Sequence, residues 1–80
     1  MVYLRYSSFD AIIERSIIID SHPLKRFSNI SDAESWVNRK EAGRFPLLSG
    51  TLFRKGKGRE INLKAYSRDE HNDLRVTPLV

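Results

Sequence analysis

The sequence predicts an α+β fold: a small antiparallel sheet of three to five strands with one or two helices packed on one face. Three observations carry this. Apolar and polar residues alternate with a period of two at Val2–Tyr6 and again at Glu60–Ser67. A helix-capping signature opens the segment at Ser31. A basic stretch with two glycines, Arg54-Lys55-Gly56-Lys57-Gly58-Arg59, separates two strand-like segments as a hairpin turn does. At 80 residues the chain is expected to form a single domain over 1–80.

The elements follow in order. Val2, Leu4 and Tyr6 alternate with Tyr3 and Arg5, which predicts a first strand over 2–6. Ser7 and Ser8 offer an N-cap, and Phe9, Ile12, Ile13, Ser16 and Ile17 fall on one helical stripe. That stripe predicts a helix over 9–16, with Asp10 in its first turn. The β-branched residues Ile12, Ile13 and Ile17 to Ile19 argue for a strand instead, and Ile17 to Asp20 reads as a separate short strand. Ser21-His22-Pro23 predicts a break, because proline forces its predecessor into an extended conformation. Leu24 to Ser28 reads as extended or loop.

Ser31-Asp32-Ala33-Glu34 has the spacing of a capping box and predicts a helix over 32–42. Ala33, Trp36, Val37 and Lys40 share a face, with Trp36 as the expected anchor. Arg39 and Lys40 suit the last turn, Gly43 the position beyond it, and Pro46 stops the helix. Strands are then expected at Leu47–Phe53 and Glu60–Ser67, joined by the basic turn. Asp69 to Asp73 is a polar loop, and Leu74 to Val80 a last edge strand weakened by Pro78. The expected core is Leu4, Ile12, Ile13, Ile17, Phe27, Trp36, Val37, Leu48, Leu52, Ile61, Leu63 and Ala65.

Charge is uneven along the chain. The formal net charge is +4, yet residues 39–64 carry eight basic groups against two acidic ones, and the flanks are slightly acidic. A concentrated basic segment can aim a positive field at phosphates or at an acidic partner. With 40% hydrophobic and 30% charged residues the composition suits a folded chain rather than a disordered one.

Other function classes find less support. There is no cysteine, which removes disulfides, thiolate zinc sites and cysteine nucleophiles. A small domain without disulfides, and without a visible secretory signal, is expected in the cytoplasm. The longest apolar run, Ile17-Ile18-Ile19, is too short to span a membrane. His22 and His71 match no metal-ligand spacing, and no cofactor is expected. The serines lack a nucleophile motif, and Glu14, Glu34 and Glu41 read as helix-surface or capping carboxylates rather than an acid/base pair. A non-enzymatic protein is therefore expected.

Two resemblances of element order follow. The order strand, two helices, then a run of strands resembles small toxin ribonucleases of the RelE/ParE superfamily, without a matching residue motif. The layout of Ser31 to Ser67, with a helix, a strand, a basic turn and a strand, resembles a winged helix with its wing, as in small phage excisionases. That resemblance implies a DNA-contacting hairpin.

The leading expectation is a nucleic-acid-binding accessory or regulatory protein. Its candidate face comprises Arg39, Lys40, Arg44, Arg54, Lys55, Lys57, Arg59 and Lys64, with Tyr66 as a stacking platform on the polar side of its strand. Phe53, opposite in phase to Leu52, is a second candidate for exposure. The alternative is an interaction module that docks an acidic protein through the same hairpin, or pairs through a sheet edge, including as a homodimer.

Overall fold

The computed structural model describes the backbone of residues 1–80 and the side chains of residues 1–13 and 23–80. Its elements are β1 (Val2–Asp10), β2 (Glu14–Phe27), α1 (Ile30–Glu41), β3 (Leu47–Gly56), β4 (Arg59–Arg68) and β5 (Leu74–Pro78). The strands form one antiparallel sheet in the order β2-β1-β3-β4-β5. The α+β expectation holds, with five strands and, among the described residues, one helix.

The predicted helix over 9–16 is absent. Phe9 and Asp10 extend β1, residues 11–13 turn, and the chain returns as β2. The side chain of Asp10 explains the turn: its Oδ1 accepts from the backbone N–H of Ile12 at 3.0 Å and of Ile13 at 3.4 Å. Aspartate mimics a backbone turn in this way and ends the strand. The β-branched content of the segment then favours the extended state. Ile12 and Ile13 lie 73% and 65% exposed at this turn, so neither belongs to the core. The side chain of Ile17, also expected there, lies outside the described residues. Pro23 does not end the strand either. β2 is an edge strand, and its register against β1 shifts between Arg5 and Ser7, opposite the proline. Edges and bulges are where a sheet tolerates a residue without an N–H.

These strands also remove the resemblance to the toxin ribonucleases, whose second element is a helix. The helix-then-hairpin layout is present in α1, β3 and β4. Yet a strand pair precedes α1 where a winged helix needs a helix, and β3 lies at the centre of the sheet.

Helix α1 is capped two residues earlier than the sequence suggests. Asn29 is the N-cap, and its side-chain oxygen accepts from the Asp32 N–H at 2.8 Å. Ser31 is inside the helix, and Glu34 turns instead toward Lys64. Gly43 follows the C-cap Ala42 and donates to the carbonyl of Lys40 at 3.1 Å.

The core lies between α1 and one face of the sheet. Ala33 and Val37 are the buried helix residues, one turn apart, and meet Val2, Leu4, Leu47, Leu52, Leu63 and Tyr66. Trp36 is only half-buried. It packs at the margin, edge-on to Tyr6 at 5.2 Å and tilted against Phe27 at 5.7 Å. Small Ala33 lets the helix approach the sheet, which leaves the large indole beside the contact rather than within it.

Two register shifts reset the alternation. Leu52 pairs with Lys64 but Phe53 pairs with Asn62, so Leu63 is an extra residue in β4. Ser7 pairs with Ser49 but Ser8 with Leu47, so Leu48 is the extra residue in β3. The second shift makes Leu47, not the expected Leu48, the fully buried residue. The first moves Ala65 to the face away from the helix, where it is half-buried, and turns Lys64 and Tyr66 toward α1. Tyr6, Gly50 and Tyr66 form one cross-strand row on the helix side. A Cβ on Gly50 would lie 3.2 Å from both the Tyr6 Cβ and the Arg5 carbonyl oxygen, so a side chain there would crowd the row.

Leu52 is fully buried in the central strand, so Leu52→Ala should cost about 2–5 kcal/mol in urea unfolding. The half-buried Trp36 should cost less when truncated to alanine. A larger loss at Trp36 than at Leu52 would contradict this placement of the core.

Candidate nucleic-acid interface

The basic residues separate by their partners. Arg44 grips Asp10: Nε donates to Oδ1 and Oδ2 at 3.1 Å each, and a terminal nitrogen to Oδ2 at 2.9 Å. The Asp10 side chain is 3% exposed, and the Ala11 N–H donates to the Arg44 carbonyl at 2.9 Å. Arg44 therefore pins the β1–β2 turn and is spent on structure. The Arg44 hydrogen bonds, foremost, hold the Asp10 carboxyl below its ordinary range.

Lys64 is similarly occupied. Its ammonium pairs with Glu34 on α1, and that hydrogen bond raises its pKa. Tyr66, expected as an exposed stacking platform, is 4% exposed beneath α1, and burial pushes its phenol above the ordinary value. The groove of about 440 Å³ beside it is rimmed by Glu34, Glu41 and Asp73, which disfavours a phosphate there. The Leu63 bulge accounts for both corrections, because strict alternation would have put Lys64 and Tyr66 on the other face.

Arg68 is not among the residues expected at the site, yet it is buried and paired with Glu41. Its side chain is 4% exposed and donates to the Leu47 carbonyl at 2.8 Å, to the Asn72 carbonyl at 2.9 Å and to Glu41. Its guanidinium also lies 5.3 Å from the Phe9 ring centroid. It ties the end of α1 to β3, β4 and the β4–β5 loop. Nothing local in the sequence marks it, since its partners are distant in the chain.

Arg39 is exposed in the last turn of α1, and the ammonium of Lys40 lies 5.4 Å from the Trp36 ring and 5.5 Å from that of Tyr6. These two and Arg44 sit at the Leu47 end of β3, as the link between Glu41 and Arg68 shows. The hairpin tip lies at the Gly56 end, nine residues along the strand, or about 30 Å. The longest dimension of the molecule is 41 Å. The eight expected cations therefore do not form one face.

Arg54, Lys55, Lys57 and Arg59 do form a cluster. All residues from 54 to 60 are exposed. Gly58 adopts φ +69°, the left-handed conformation that closes the tight turn and that a side chain would strain. Among the described residues, no carboxylate pairs with Arg54, Lys55, Lys57 or Arg59. Glu60, the nearest acid in sequence, pairs instead with Arg5 at 3.3 Å.

The face away from α1 adjoins this tip. Tyr3 and Phe53 are opposite each other in the register, with ring centroids 5.6 Å apart and planes 21° apart. Phe53 lies on the face opposite Leu52, as its phase implies, but it is fully buried there. The guanidinium of Arg5 lies 4.8 Å from its centroid. The ammonium of Lys55 lies 4.9 Å from the centroid of Tyr3, whose ring is half-buried. Alternation in β1 was sufficient to place Tyr3 and Arg5 together on this side; their proximity to Phe53 and Lys55 required the sheet order.

Among the described residues no group of three His, Asp or Glu side chains could hold a metal ion, and no helix is long and apolar enough to cross a membrane. His71 is exposed in the β4–β5 loop, 3.5 Å from Glu70.

A carboxylate whose pKa is lowered by folding stabilises the fold fully above its unfolded value, about 3.9. That contribution is lost as pH falls through the folded value. Asp10→Asn should therefore be less stable than the parent at neutral pH, and the gap should narrow in thermal melts taken toward pH 2–3. A gap independent of pH would contradict the ion pair.

Comparison with protein-family models, with curated proteins and with solved structures gives no match.

Proposed function

We propose that the protein is a nucleic-acid-binding accessory or regulatory protein, without catalytic activity, that contacts phosphates through the β3–β4 hairpin tip. One observation carries the reading. Arg5, Arg44, Lys64, Arg68 and Arg75 each have a carboxylate partner, whereas the four cations of the tip have none among the described residues.

A cation already neutralised by a carboxylate gains little from a phosphate, because the old pair must break first. An unpaired, solvated cation needs only to shed its counterion shell, and release of condensed counterions from the nucleic acid drives association. The tip adds geometry to charge. It projects beyond the buried part of the sheet, and its narrow two-stranded form can follow a groove or a backbone. Backbone N–H groups at the turn, near Gly56 and Gly58, can join the side chains in binding oxygen anions.

The same tip would suit an acidic protein surface, and salt dependence separates the two. Each phosphate contact on duplex DNA contributes roughly 0.9 to the slope of log affinity against log salt. Lys55→Ala, Lys57→Ala and Arg59→Ala together should reduce that slope by about 2–3 and leave the melting temperature nearly unchanged. Absence of binding to any DNA or RNA at about 50 mM salt would overturn the proposal.

A further inference from the structure

The helix-free face beside the hairpin tip carries a more specific ligand preference, one that rests on the nucleic-acid reading above and narrows it. We propose that the ligand is a single-stranded nucleic acid, with one base stacked on Tyr3 and the adjoining backbone held by Lys55 and Arg26.

The geometry has three parts. First, Tyr3 is a fixed ring. Its stack on the fully buried Phe53 sets its orientation, and the register flanks it with strand neighbours on both sides. It therefore loses little freedom when something packs on it, which is what an aromatic platform requires. Second, cations surround it. Lys55 rests 4.9 Å from the ring centroid and Arg26 is directly opposite Tyr3 on β2, whereas Arg5, 4.8 Å from the Phe53 centroid, is held by Glu60. Arg26 is exposed and, among the described residues, pairs with no carboxylate. Third, the site is continuous with the tip, since Lys55 belongs to both.

Lys55 makes the site convertible. An exposed ammonium over a ring gains only modestly from that contact. A base face can take its place while the flexible side chain swings to a neighbouring phosphate. Bases in a duplex are already stacked on one another and cannot present a face to Tyr3, whereas an unpaired strand can. The charge of the face fits the phosphates of such a strand and opposes an apolar or basic partner.

Fluorescence anisotropy with a labelled oligothymidine of roughly 12 nucleotides, and with a duplex of equal length, tests this at about 50 mM salt. The single strand should bind more tightly than the duplex. Tyr3→Leu should weaken the single strand by about tenfold and leave the duplex unchanged, and Tyr3→Phe should bind as the parent does. Equal affinities that Tyr3→Leu does not alter would overturn this inference and leave the hairpin reading intact. Loss of all binding in the parent protein would overturn both. Should Tyr3→Leu lose its circular-dichroism signature, photocrosslinking of the parent protein to a 5-bromouracil-substituted strand replaces it. An adduct on Tyr3 is expected, and adducts confined to residues 54–59 would overturn the inference.

Discussion

The bulge at Leu63 decides which side chains face the helix and which face away. Leu63 and Lys64 both stand opposite Leu52, so β4 leaves this point with its alternation reversed. On one side of the bulge Ile61 packs against the core, and on the other Tyr66 joins it while Lys64 pairs with Glu34 on α1. The chain stabilises the irregularity: the carbonyl of Leu63 accepts from the Leu79 N–H at 2.9 Å, just beyond β5. A one-residue change of register moves a whole strand's side chains to the other face. Here that change brings a lysine to Glu34 and a tyrosine to Val37 beneath α1.

From this partition follows the distribution of charge. Ion pairs gather where the helix, its C-terminal loop and the β4–β5 loop meet the sheet: Arg44 with Asp10, Lys64 with Glu34, Arg68 with Glu41, Arg75 with Asp69. Those groups hold elements together. Beyond the last buried residue of β3, Phe53, every residue of the tip is exposed, and among the described residues its cations meet no carboxylate. A formal charge of +4 over the chain understates the contrast between the paired cations at these junctions and the unpaired cluster at the tip.

Local chemistry made α1 and the β3–β4 hairpin legible in the sequence. Capping residues, dipole-matched charges and glycines at a turn act over a few residues, and each left its mark within a few positions of the true boundary. β2 was obscured because Phe9, Ile12, Ile13 and Ile17 happen to lie at helical spacing, whereas the Asp10 side chain and β-branched content decided otherwise. The bulges had no visible signal, so the alternation of Ile61, Leu63 and Ala65 pointed Tyr66 the wrong way. Ion pairing withdraws Arg44 and Lys64 from the candidate face. Their partners stand 34 and 30 residues away, a separation at which only the folded chain decides which charges meet.

Amide chemical-shift mapping during titration with a short oligonucleotide tests the division between tip and body most directly. The largest shifts are expected at residues 54–59, at Tyr3 and Arg5 on β1, and at Arg26 on β2. Shifts confined to residues 39–44 at the far end of α1, or no saturable shifts at low salt, would contradict it.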